Sequence, residues 1–63
     1  MKMLLIVSCR DKSMWYANMI EKYVPFVREC ADYYWSREQE GYTNIVMKYD
    51  AMIVVTPTLV AGE

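Results

Sequence analysis

The chain has 63 residues and a mass of 7.5 kDa, which is one small domain with no room for a second. Seven Lys and Arg stand against eight Asp and Glu, a net charge of -1, so the cationic excess that neutralises nucleic-acid phosphates is absent. Hydrophobic residues make up 56% and aromatics 14%, too apolar for a disordered tail. The chain has no His and two Cys, which excludes a zinc site of the Cys and His type. The apolar run at residues 3–7 is far short of a membrane span and of the apolar region of a secretory leader. These bounds favour a compact, soluble, cytoplasmic binding domain over an enzyme, with no cofactor and no membrane association.

A domain of this size buries only ~60% of its unfolded surface, so staples, oligomers or an aromatic-rich core must support it. Cys9 and Cys30 are expected to stay reduced in a chain without a secretory leader. Two Trp, six Tyr and one Phe supply the core material instead.

Residues 3–7 (Met-Leu-Leu-Ile-Val) read as a buried strand, and residues 9–13 as a polar loop. Ser13 suits the cap of a short helix, but the side carrying Met14, Asn18 and Glu21 is not apolar, so the helix is weakly signalled. Pro25 removes a backbone donor and places residues 24–27 at a sheet edge or bulge. The middle reads two ways. Phe26, Val27, Cys30, Ala31, Tyr34 and Trp35 recur at helical spacing between Pro25 and Gly41. Tyr33-Tyr34-Trp35 equally fits a strand, with residues 29–32 as the turn before it. Residues 38–41 read as a turn whose Gly41 supplies a positive backbone angle. A strand over 42–46, a tight turn over 47–50 and an aliphatic strand over 51–55 follow. Pro57 opens a tail, so the domain is expected over 1–56 with a tail at 57–63.

This order of features resembles a group of short phage and bacterial proteins with a small Src-homology-3-like β-barrel. The residues that carry the resemblance are Trp15-Tyr16, Ile20, Val24, Phe26, Tyr33 and Tyr34, and then the run Gly41-Tyr42, Asn44, Val46, Lys48 and Asp50-Ala51. They span about residues 3–55. Glu21 departs from the pattern, which has Gly there at a tight turn. The resemblance implies an all-β chain of five strands closed into a barrel, and a small phage-encoded accessory protein that binds a host or viral macromolecule. Inhibition of a host protein is one form of that role. The alternative fold is α+β, with a helix near residues 25–40. In the barrel, Trp15 would plug one end, Asn44 would bond backbone beside a turn, and Asp50 would accept local N–H bonds before the last strand.

Catalytic chemistry finds little footing. No His is present to act as a base, and Cys9, near Arg10 and Lys12, reads as a half-buried apolar residue rather than a nucleophile. Glu38 and Glu40 fall in the expected turn and read as solvated surface. With Gly41 and Gly62 the only glycines, a Gly-rich phosphate loop is absent. Protein binding is the leading reading, because Trp and Tyr dominate interface hot spots. Trp15, Tyr16, Tyr34 and Tyr49 are the candidate contacts, with an unidentified protein as partner. The six methionines add adaptable surface or fill gaps in the core. The rival reading is a single-stranded nucleic-acid barrel, with Tyr33, Tyr34, Trp35 and Tyr42 as a stacking platform and Arg28, Arg37 and Lys48 as its cations. A third is a subunit of a larger assembly. Residues 51–55 with Leu59 and Val60 would pair copies into a homodimer.

Overall fold

The aliphatic run near the start forms the central strand of one sheet. In the computed structural model, which describes residues 1–55, Lys2–Ile6 is strand β1. Its side chains alternate, so Leu4 and Ile6 are fully buried while Met3 and Leu5 face outward and are half-buried. Tyr23–Pro25 (β2) and Ala51–Val55 (β6) pair antiparallel on either side of it. Leu4 stands opposite Val24 on one side and Ile53 on the other. Pro25, which lacks an N–H, sits on an edge strand as its chemistry demands.

The second sheet is built from Arg28–Glu29 (β3), Tyr33–Arg37 (β4) and Thr43–Met47 (β5), in that order and all antiparallel. A turn closed by the Cys30 N–H on the Tyr33 carbonyl (2.8 Å) joins β3 to β4. The expected turn over 38–41 joins β4 to β5, with the Gly41 N–H on the Glu38 carbonyl at 2.9 Å and Gly41 at φ +102°. Lys48–Asp50 makes one 3-10 turn before β6. The inner faces of the two sheets share one core of Leu4, Ile6, Val24, Tyr34, Val46 and Ala51, joined by Cys9 and Tyr16 from the long loop.

The fold is therefore all-β, and among the described residues no α-helix occurs. The helix near 25–40 of the alternative α+β fold does not form: Pro25 ends β2, and the aromatic run that fitted both patterns is the strand β4. Ser13 caps no helix either. Its N–H and hydroxyl both donate to the Asp11 carboxyl (3.0 and 2.7 Å), and turns closed at Met14, Ala17, Met19 and Lys22 carry the chain on to β2. The expected tail at 57–63, with Leu59 and Val60, lies outside the described residues. Among the described residues no helix is long and apolar enough to cross a membrane.

The departure at Glu21 has a visible consequence. Its backbone adopts φ 70°, the left-handed conformation that glycine takes freely, and its N–H still reaches the Ile6 carbonyl at 2.7 Å. The tight turn is kept, with a side chain where none is favoured. Glu21→Gly is expected to raise stability by about 0.5–1 kcal/mol, the relief of left-handed crowding less the larger chain entropy of glycine. A urea midpoint unchanged or lowered in that variant would contradict this.

Candidate interaction face

Three of the rings singled out in the sequence are committed to the interior or half-committed to it. Tyr16 is fully buried and Tyr34 is 8% exposed, so neither offers a face to a partner. Trp15 is half-buried, stands edge-on to Tyr16, and donates its indole N–H to the Ile45 carbonyl at 2.8 Å. Tyr49 is exposed, with the Arg10 guanidinium 4.2 Å over its ring. These four do not form one surface patch.

Tyr16 and Asp50 instead make a buried polar hub that locks the long loop to the sheets. Asp50 is 1% exposed. Its side-chain oxygens accept from the Tyr16 hydroxyl (2.6 Å), the Ser8 hydroxyl (2.8 Å) and the Arg10 N–H (3.3 Å). The Tyr16 oxygen accepts in turn from the Met47 N–H at 3.3 Å. Trp15 and Tyr16 thus cover the free edge of β5 at two successive outward-pointing backbone groups, Ile45 C=O and Met47 N–H. The expected local bonding of Asp50 is replaced by partners 34 to 42 residues away. Asn44 does bond beside its turn, accepting from the Ile45 N–H and donating to Glu38 at 2.7 Å.

Burial, and next the hydrogen bond to Asp50, hold the Tyr16 phenol well above its ordinary range near pH 10. Because the folded value is the raised one, the stability it contributes is complete below about pH 10 and is lost as the pH rises beyond that. Tyr16→Phe is therefore expected to lose stability less steeply than the native chain between about pH 10 and 12. Equal slopes in a series of urea midpoints would contradict the hub. Burial, then the nearby Asp50, also pushes the Cys9 thiol up, and its S–H donates to the Asp11 carbonyl at 3.0 Å. A buried thiol held protonated is a poor nucleophile. Cys9 and Cys30 are both free.

The outward face of the second sheet has a different character. Tyr34, Ser36 and Val46 point into the core, so Tyr33, Trp35 and Arg37 of β4 point out by alternation. Arg28 stands directly opposite Trp35, and Arg37 opposite Thr43. Tyr33 and Trp35 meet edge to face with centroids 5.8 Å apart. Val27, Arg28, Trp35 and Thr43 line a shallow, open depression of about 350 Å³. Two arginines and no carboxylate occupy these outward strand positions, in a chain of net charge -1. Lys48, the third cation expected here, is instead paired with Glu29 at 2.6 Å on the other side of the sheet, near the Tyr34 ring. Tyr42 is exposed on the turn just before β5. No family model, curated protein or solved structure matches this chain.

Proposed function

We propose that the chain is a non-enzymatic binding module that holds an extended, acidic segment of a protein partner against Trp35. The observation that carries this reading is an outward tryptophan set directly across from Arg28, beside a depression, on a strand face without carboxylates. Tryptophan and arginine are the side chains that most often dominate binding energy, and a flanking arginine pairs bidentately with a carboxylate. The resemblance to small phage barrels fits the same role: an accessory protein, acting in the host cytoplasm, that engages a host or viral protein and inhibits it. The barrel form of the fold belongs to this proposal. Only Phe26 and Val27 separate β2 from β3. Taken as one bent strand that changes sheets, they give five strands, and the Trp15–Tyr16 loop covers β5 between the two sheets.

A second reading, base stacking on Trp35 with phosphates on Arg28 and Arg37, draws on the same face. Two cations release few counterions, so its electrostatic contribution is small. Capture from bacterial lysate with the tagged chain, with and without nuclease and at two salt concentrations, separates the readings. One protein retained after nuclease and at moderate salt is the expected result. Partners lost on nuclease treatment would favour the strand-binding reading, and a chain that retains neither would overturn both.

A further inference from the structure

The depression at Trp35 runs from strand to strand rather than along one. Val27 and Arg28 stand on its β3 side, Trp35 of β4 lies in the middle, and Thr43 of β5 closes the far side. A bulge sets two of these walls side by side. The Val27 N–H donates to the Trp35 carbonyl at 2.9 Å, and Arg28 is the register partner of the same Trp35. Two residues therefore face one, and Val27 joins Arg28 on the outward side instead of alternating into the core.

A partner segment meets a sheet either by adding a strand to its edge or by laying side chains on its face. This sheet offers little edge. The Cys30 N–H on the Tyr33 carbonyl fixes Cys30–Tyr33 and Arg28–Trp35 as the bonded pairs, so within β3 only Glu29 turns its backbone groups away from β4. On the opposite edge, Trp15 and Tyr16 occupy the Ile45 carbonyl and the Met47 N–H. The depression is thus met from above, by a segment lying across the strands.

The register sets the length of that segment. Bonded antiparallel partners stand ~5.5 Å apart, and Thr43 is the diagonal neighbour of Trp35, at about 7–8 Å. Arg28 to Thr43 is therefore roughly 12 Å. An extended chain turns alternate side chains to one side every ~6.8 Å, so five residues cover this span with the first, third and fifth facing down. Beneath them lie a cation, an apolar wall and a hydroxyl, in that order. Given Trp35 as the contact, we propose that the site reads a carboxylate two residues away from a bulky apolar side chain, in a segment that crosses β3, β4 and β5. The carboxylate sits on the Arg28 guanidinium, the apolar side chain between Val27 and Trp35, and a polar fifth residue beside the Thr43 hydroxyl.

Synthetic nonapeptides test the spacing. Each carries one Asp and one Leu in a Gly-Ser background, placed one, two, three or four positions apart and in both orders. They are titrated to ~5 mM at low salt into the ¹⁵N-labelled full chain. The Trp35 indole signal reads binding, and the Trp15 indole, held on the Ile45 carbonyl, is the internal reference. The spacing of two, in its better order, should bind at least ~5-fold tighter than any other. Replacing its Asp by Asn should weaken binding about 3–5-fold against the native chain, and less than ~1.5-fold against Arg28→Gln. Equal affinity at all spacings would overturn the proposal. So would a preference for three or four, the spacing of a helical partner, or no movement of the Trp35 indole with any peptide. An eight-nucleotide oligo-dT that moves this indole at lower concentration than every peptide would overturn it in favour of base stacking. A lysate partner that moves the Trp35 indole while the peptides show no spacing preference would overturn the spacing and leave the Trp35 contact standing.

Discussion

Asp50→Ala is expected to lose about 3–5 kcal/mol of stability and to leave most of the chain unfolded or molten at 37 °C. The loss follows from what faces the carboxyl. Removing it strands the Tyr16 hydroxyl, the Ser8 hydroxyl and the Arg10 N–H, each costing about 1–3 kcal/mol where it cannot reach water. A domain of 63 residues holds only about 3–9 kcal/mol in total, so the loss is a large share of it. Asp50→Asn is the sharper probe because it keeps the shape. Its amide sets a donor against hydroxyl or N–H donors, and about 1–3 kcal/mol should still be lost. Urea unfolding followed by circular dichroism reads both variants. A loss below ~1 kcal/mol in Asp50→Ala would mean that the hub does not fasten the loop.

Trp35→Ala is expected to weaken partner binding about 30-fold or more, the scale of a hot-spot truncation of ~2 kcal/mol. The fold should survive, because Trp35 lies on the outer face and its main ring partner is Tyr33. The stability cost should stay near the 0.5–1.5 kcal/mol of that aromatic pair. Arg28→Glu should weaken binding as well and lessen its salt dependence, since Arg28 stands beside Trp35 and faces the acidic segment. Binding by Trp35→Ala within threefold of the native chain would place the contact elsewhere on the molecule.

Much of the fold was legible in the residues. The first and last strands are aliphatic runs with turn residues at their ends, and both form within one residue of the expected bounds. Gly41 marked its turn, and the polar interruption at 47–50 became the 3-10 turn. The middle was ambiguous because its apolar residues satisfy a period of 3.6 and a period of 2 together. Pro25 and the Cys30–Tyr33 turn decide it, and the turn's hydrogen bond is not written in composition.

The interaction face was harder to read for a physical reason. Both parities of β4 carry aromatic residues, so alternation alone does not say which side is buried. Burying Tyr33 and Trp35 looks better by hydrophobicity than burying Tyr34 and Ser36. The chain takes the second choice: the Ser36 hydroxyl donates to the Pro25 carbonyl at 2.7 Å, and Tyr34 packs edge-on to Phe26. Tyr16 was read as surface because nothing local marks its partner. Its acceptor, Asp50, lies 34 residues away.

The two tryptophans give the most direct test of the Trp35 face. Trp15 has its indole N–H fixed on the Ile45 carbonyl, whereas Trp35 lines the open depression. With the captured partner titrated into the ¹⁵N-labelled chain, the Trp35 indole signal should move or broaden while the Trp15 signal holds its place. Movement of Trp15 with Trp35 unchanged would contradict the account and turn attention to the loop beside Asp50.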